Sequence, residues 1–223
     1  MSFPEYRVVE MTEAEVEQER VVLGGLADSV RGLVDASLRS TIPLEEIDEI
    51  RHEIDRLTER LRKEQIPGAF GVSFTPSGTV RGHGNAVVGL RNPIAVPLEI
   101  RKDPDGHSTA EFTLGAVYEG PPGCVHGGVL ALLLDQVLGE SAAAGGSPGM
   151  TGTLTLRYLR PTPLGDCSIE AWVDRVEGVK TVVKGEFRRA DGKPTVEVEG
   201  VFILPKWARE ALAEEGHKPP RFE

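Results

Sequence analysis

Residues 127–144 have the sequence GGVLALLLDQVLGESAAA, and this stretch decides the fold. Leu and Val occupy positions all around the helix that the stretch predicts, so almost no polar face is left. A helix that is apolar on nearly all sides has to be covered on nearly all sides. The stretch therefore predicts one long helix at the centre of a folded domain.

The segments on either side of this helix have the pattern of β-strands. Apolar residues alternate or run together at 96–101, 108–118, 152–160, 167–177, 180–190 and 194–204. Asp191-Gly192 separates the last two segments and is a strong hairpin signal. Because a single helix is inserted early in a series of strands, the order predicts an α+β fold. In this fold an antiparallel sheet wraps around the long central helix.

The chain before Pro67 has a different pattern. Two amphipathic helices are predicted there. The first runs from about Thr12 to Arg39 and opens with the capping-box sequence Thr12-Glu-Ala-Glu15, and the second starts just after Pro43. Each needs a surface to pack on, either its own domain or a partner subunit, with peptide binding as the alternative. The Gly-, Ser- and Pro-rich residues 68–89 predict a loop with one short strand. We predict a helical N-terminal extension (1–66), a sheet-and-helix domain (67–205) and a C-terminal tail (206–223).

The composition excludes several classes of protein. Acidic residues outnumber basic ones by 35 to 25, for a net charge of −10, which argues against nucleic-acid binding. The two cysteines are too few and too far apart to indicate a disulfide framework, and no Cys or His spacing suits a metal, so we expect no metal. The N-terminus lacks the apolar core of a signal peptide, and the longest apolar run, 129–134, is too short for a membrane span. We therefore expect a cytoplasmic protein.

One carboxylate interrupts the apolar helix. Asp135 has apolar neighbours, and burying a carboxylate costs several kcal/mol unless it is paired, hydrogen-bonded or protonated. It is either a polar tie to the sheet or to a partner, or a catalytic group. The start of the helix favours catalysis, because Gly127 and Gly128 leave bare N–H groups at the positive end of the helix dipole, a site for an oxyanion. His126 either holds this turn in place or contacts a ligand.

The spacing along the helix predicts a dimer. Gly127 and Asp135 are eight residues apart, which is on the order of 12 Å along a helix. Both cannot lie within about 3 Å of one carbonyl group. If both serve one reaction centre, they come from two helices. A symmetric dimer with antiparallel central helices supplies this arrangement, with two equivalent sites at the interface.

Residues 118–139, YEGPPGCVHGGVLALLLDQVLG, resemble the HGG-x6-D segment of PaaI-like hotdog thioesterases. Met150-Thr151, 158–161 and 176–180 also fit, in order and spacing, the THEM acyl-CoA thioesterase branch of that family. The resemblance extends over about residues 90–205. It implies a hotdog fold, an acyl-CoA substrate, dimers that can pair into tetramers, and no metal or redox cofactor.

The resemblance also implies roles for individual residues. Asp135 would activate a water or attack the thioester directly, and Gly127 would offer its N–H to the thioester oxygen. Thr151 would orient the water or the carboxylate. His126 would shape the site, and Gly128 would lie beside the bound substrate.

Coenzyme A carries three phosphates, so basic residues are expected along its path. The candidates are Arg157, Arg160, Lys180 and Arg188. The alternative for each of them is a solvated strand face.

Three other functions compete with thioester hydrolysis. Cys124 lies next to a helix start, which lowers a thiol pKa, but no base of suitable spacing accompanies it as a nucleophile. An enoyl-CoA hydratase would use a His and Asp pair, whereas His126 and Asp135 lie about 180° apart around the helix. A non-catalytic acyl-CoA-binding or scaffold protein would keep the apolar helix and the dimer, and the N-terminal helices leave this alternative open.

Overall fold

The computed structural model describes residues 7–78, 80–96, 98–206 and 209. The elements in chain order are β1 (Arg7–Val8), α1 (Glu13–Arg39), α2 (Leu44–Arg62), β2 (Ser73–Phe74), β3 (Val80–Arg81), β4 (Ile100–Lys102), β5 (His107–Leu114), a short 3-10 helix (Ala116–Tyr118), α3 (Gly127–Ala144), β6 (Met150–Tyr158), β7 (Gly165–Glu177), β8 (Lys180–Arg189) and β9 (Pro194–Ile203). The chain divides into two compact units, residues 1–94 and 95–223. Apart from 206 and 209, the predicted C-terminal tail lies outside the described residues.

The first unit contains the two predicted helices, and both predictions are confirmed. α1 begins with a capping box, in which the Thr12 hydroxyl accepts from the Glu15 N–H at 3.3 Å and the Glu15 carboxylate accepts from the Thr12 N–H at 2.8 Å. These two bonds satisfy donors that the first turn of a helix otherwise leaves free. The capping pattern therefore predicted the start of α1 correctly.

Contacts within the first unit tie residues beyond 66 to α1. A Cβ on Gly24 would lie 2.9 Å from the end of the Leu90 side chain, so this segment packs closely on α1. Arg31 donates to the Asn92 carbonyl at 3.3 Å. The division predicted after residue 66 falls inside this unit, because side-chain contacts of this kind leave no mark on the sequence pattern.

Residues 68–89 contribute two strands where one was predicted. β1, β2 and β3 form a small sheet in which β1 is parallel to β2 and β2 is antiparallel to β3. Each strand has only two residues. Two residues are too few for an alternating pattern to be recognised in the sequence.

The second unit has the predicted α+β hotdog architecture. Six antiparallel strands form one sheet in the order β4-β5-β7-β8-β9-β6, and α3 packs on all six. The hairpin predicted at Asp191-Gly192 joins β8 to β9, with Gly192 at a φ of +77° that glycine adopts without strain. The sheet wraps the central helix as predicted.

Two predicted strands are shorter in the structure. The strand expected at 96–101 is reduced to β4, and before it the Leu98 N–H donates to the Val96 carbonyl at 2.6 Å. Both side chains are buried, so their apolar character reflects burial and not strand pairing. The strand expected at 108–118 ends at Leu114 and continues as the 3-10 helix.

α3 is covered on one side in the single chain. Its sheet side is buried and comprises Leu130, Leu133, Leu134, Val137, Leu138, Ser141 and Ala142. The opposite side, which we call the open side of α3, is formed by Gly128, Leu132 and Asp135, and Leu132 is 45% exposed. By length and composition alone α3 could cross a membrane, a test that the core helix of a folded domain also passes. α3 was predicted to be buried on nearly all sides, and in the single chain the side that faces the sheet is the buried one.

Candidate active site

The carboxylate of α3 is held by a threonine from the edge strand β6. The Thr151 hydroxyl donates to Asp135 Oδ1 at 2.8 Å. Asp135 is half-buried on the open side of α3, and no other described residue donates to its carboxylate. One oxygen of Asp135 is thus held in place, while Oδ2 is left to accept a proton.

A β-bulge aims Thr151 at α3. Thr151 and Tyr158 both bond to α3 from β6, yet seven positions separate them. Side chains along a regular strand alternate between faces, so an odd separation would place the two on opposite sides of the sheet. The pairing of β6 with β9 shifts between Thr151 and Thr153, which inserts one residue. This shift turns Thr151 to the face that carries Tyr158.

The start of α3 leaves one backbone donor unused. His126 is the N-cap residue, and its Nδ1 accepts from the Gly128 N–H at 3.0 Å. The Val129 N–H donates to the His126 carbonyl at 2.9 Å. Within the described part of the chain, the Gly127 N–H has no acceptor. Of the first three amides of the helix, Gly127 is the one that can receive an oxyanion.

The structure gives His126 the first of its two proposed roles, because the ring holds the turn. It also shows that the Gly128 N–H is already engaged, so Gly128 can serve a substrate only by leaving space beside it. A Cβ on Gly128 would lie 3.2 Å from the His126 ring. A Cβ on Gly120 would lie 2.8 Å from the His126 Cα, so the loop before α3 packs tightly beneath this residue.

The loop that leads into α3 is fixed by its own hydrogen bonds. The Glu119 carboxylate accepts from the Gly123 N–H at 2.6 Å, and Gly123 has a φ of +71°. The His126 N–H donates to the Tyr118 carbonyl at 2.9 Å. These bonds position the Gly127 N–H before any ligand binds, and a preorganised donor is the kind that stabilises a transition state.

Tyr158 is a site residue that the sequence reasoning missed. Its hydroxyl donates to the Gly127 carbonyl at 2.9 Å, and the end of its side chain lies 3.4–3.5 Å from where a Cβ on Gly127 would be. Tyr158 lies within one of the segments that match the THEM branch. Its position at the end of β6, the strand that also carries Thr151, was the available signal.

Tyr158→Phe is expected to lower kcat/KM by about 2- to 10-fold, the effect of one lost hydrogen bond. The ring stays and only the bond to the Gly127 carbonyl is lost. Steady-state kinetics and a thermal melt of the same preparation measure the effect. Unchanged kinetics at an unchanged melting temperature would show that the hydroxyl does not position the helix start.

The four basic residues proposed for coenzyme A do not form one cluster, because Lys180 lies at the opposite end of β8 from Arg188. Arg157 pairs with Glu197 at 3.3 Å, and it points away from α3 because its neighbour Tyr158 points toward it. Arg188 lies 2.6 Å from Glu186 near one end of β8, and Lys180 begins the other end. Arg160 is exposed just after β6. The carboxylate partners of Arg157 and Arg188 favour the solvated-face alternative for these two.

The two cysteines lie in different surroundings. Cys167 is buried, and this burial raises the pKa of its thiol to about 11, so the thiol is protonated at neutral pH. Cys124 is a half-buried free cysteine in the loop before α3, bound there through its backbone. The described residues contain no group of three His, Cys, Asp or Glu that could hold a metal.

Cys124→Ser is expected to retain the activity of the unchanged chain within about twofold, because the two side chains are nearly isosteric and the loop bonds use backbone atoms. Thioester hydrolysis by the variant and by the unchanged chain, measured side by side, checks this. A fall in activity of a hundredfold or more would support Cys124 as the nucleophile, and Asp135 would then not be needed in that role.

The family of the chain follows from two comparisons. The Thioesterase superfamily model matches residues 122–196, which include the start of α3, Asp135 and Thr151. The crystal structure of a thioesterase superfamily protein is 35% identical with a TM-score of 0.73, covering 82% of this chain and 95% of that chain. The chain therefore belongs to the thioesterase superfamily, and the predicted family membership is confirmed.

Curated relatives of known name are similar to part of this chain. Acyl-coenzyme A thioesterase THEM4 of Bos taurus is 33% identical over 120 residues, which are 52% of this chain and 48% of that protein. Acyl-coenzyme A thioesterase THEM4 of Xenopus laevis is 37% identical over 81 residues, 36% of each chain. The matches thus span about half or less of the length of these relatives. They agree with the resemblance to the THEM branch.

Proposed function

We propose that this protein hydrolyses the thioester of an acyl-coenzyme A to the free acid and coenzyme A. The observation that carries the proposal is the Thr151 hydroxyl bound to Asp135 at 2.8 Å on the open side of α3. The thioesterase family and the two THEM4 relatives, which are named acyl-coenzyme A thioesterases, support it. An acyl-binding or scaffold protein would have no need for a threonine-held carboxylate and an unused N–H at the start of the same helix.

The active site is proposed to form between two chains. The Gly127 N–H lies at the start of α3 and Asp135 eight residues further, on the order of 12 Å away. A single chain cannot place both against one thioester. A second α3, antiparallel to the first along their open sides, would bring Gly127 of one chain near Asp135 of the other. The open side of α3 and the edge position of β6 in the sheet support a homodimer of this kind.

The geometry supports a mechanism in which Asp135 acts as the base. Oδ1 is held by Thr151, and Oδ2 takes a proton from a water whose oxygen bonds to the thioester carbon. The Gly127 N–H of the other chain stabilises the negative carbonyl oxygen. The C–S bond then breaks, and the thiolate of coenzyme A takes the proton from Asp135. Direct attack by Oδ2, giving an anhydride that water hydrolyses, uses the same arrangement.

We also propose the cytoplasm as the location of the protein. Both cysteines are free, and Cys124 is partly exposed, which suits a reducing compartment. A fluorescent fusion imaged together with a cytoplasmic marker tests this.

The experiment that tests the function is thiol release from a panel of short, medium, long and aromatic acyl-coenzyme A substrates. We expect at least one class to be hydrolysed far above the spontaneous rate, and the ranking to identify the acyl group. Binding without release of thiol from any member would contradict the proposal and favour the acyl-coenzyme A-binding alternative.

A further inference from the structure

The second N-terminal helix, α2, carries an apolar stripe on a helix with no buried residue. Five side chains, Ile47, Ile50, Ile54, Leu57 and Leu61, form this stripe, and none of the 19 residues of α2 is buried. Leu57 and Leu61 are 53% and 56% exposed. Thioester hydrolysis, as proposed above, does not use this surface.

The spacing of the stripe indicates what kind of surface covers it. Its residues follow one another at intervals of three, four, three and four, the heptad repeat of a coiled coil. Such a seam is narrow and fits one partner helix, whereas a helix that packs on a sheet has a wider apolar face. From Ile47 to Leu61 the seam is about 21 Å long, and its five residues supply five layers of side chains.

The charges of α2 indicate that this partner is another α2. Residues 44–53 contain five acidic residues and one arginine, whereas 54–63 contain two acidic and four basic residues. Two parallel copies would bring the acidic halves together. Two antiparallel copies place the acidic half of each helix beside the basic half of the other and also oppose their dipoles. We propose that α2 pairs with α2 of a second copy of this chain in an antiparallel arrangement.

Two residues beside the stripe fit this pairing. Glu46 and Arg60 lie on the same flank of the stripe, at opposite ends of the helix. Neither has an ion-pair partner among the described residues, although most other charges of α2 are paired within the helix. In the antiparallel arrangement this flank meets itself, so Glu46 of each copy faces Arg60 of the other. Full overlap of the stripe places Ile54 at the two-fold axis.

Disulfide capture tests the pairing and its direction. Ile54→Cys in the full chain is expected to give a covalent dimer on mild oxidation. His52→Cys, about 160° away from Ile54 around the helix, is the matched control and is expected to give no more dimer than the unchanged chain with its two cysteines. Ile47→Cys alone should not cross-link, but Ile47→Cys mixed with Leu61→Cys should. Cross-linking of Ile47→Cys alone would overturn the antiparallel arrangement.

Charge reversal gives a second test that does not rely on cysteine. Glu46→Arg and Arg60→Glu, each alone, are expected to weaken self-association by roughly 10-fold in sedimentation experiments, and a mixture of the two chains should restore it. Ile54→Asp, in the middle of the seam, should weaken it by about 30-fold or more. An average mass and a dissociation constant unchanged in all of these variants would overturn the proposal. A different pair of results would also overturn it: the cysteine variants do not cross-link, and the unchanged chain, but not Ile54→Asp, floats with anionic phospholipid vesicles. The stripe would then bind a membrane surface.

Discussion

Asp135→Asn is expected to lower kcat/KM for the best acyl-coenzyme A by about 10²- to 10⁴-fold, the usual contribution of a general base. Asparagine keeps the shape of the side chain and can still accept from the Thr151 hydroxyl, which donates to Asp135 at 2.8 Å. It cannot take a proton from water or form an anhydride. Asp135 is half-buried, so the loss of its charge should leave the fold intact. Initial rates of thiol release, with a thermal melt and a mass measurement, give the result.

The matched control for this variant is Glu140→Gln. It makes the same carboxylate-to-amide change on the same helix. The Glu140 carboxylate accepts hydrogen bonds from Lys102 at 3.2 Å and from Gln136 at 2.9 Å. We expect its activity to stay within a few-fold of the unchanged chain, because only a partly exposed ion pair is weakened. If both variants lost activity equally, the loss would reflect the stability of α3. Full activity in Asp135→Asn would exclude the proposed base.

Gly127→Pro is expected to lower kcat by about 10²- to 10³-fold, as removal of one oxyanion donor does. Proline is well tolerated at the first position of a helix, where its missing N–H forms no helical bond. The Gly127 N–H has no acceptor in the described part of the chain, and His126 has φ −63° and ψ 132°, a conformation that a following proline favours. The substitution therefore removes the proposed oxyanion donor and little else.

Gly127→Ala separates the loss of the donor from the effect of added bulk. It keeps the N–H, and its Cβ would meet the end of the Tyr158 side chain at 3.4–3.5 Å, about ordinary van der Waals contact. We expect it to retain most of the activity, and both variants to show similar melting temperatures and mass. Equal losses in the two variants would point to crowding against Tyr158, and no loss in Gly127→Pro would exclude this N–H as the oxyanion donor.

Several features were predictable because their causes are local. The apolar pattern of 127–144 identified α3, and the Thr12 capping box identified the start of α1. Asp135 and Gly127 were recognised from a charge within an apolar helix and from glycines at its start. The prediction failed at 96–101, where Val96 and Leu98 are buried without forming a long strand. Apolar character reports burial, and burial is compatible with more than one backbone conformation.

The sequence by itself determined the central helix, the order of the strands around it and the position of its one central aspartate, because these depend on periodicity and local propensity. Only the tertiary structure decided that Thr151 reaches Asp135, since the face that Thr151 occupies depends on how β6 pairs with β9 and on the bulge in that pairing. It also decided that Gly127 keeps the free N–H, because the His126 ring takes that of Gly128. Register and side-chain direction are set by contacts between distant segments, and the sequence pattern of one segment does not contain them.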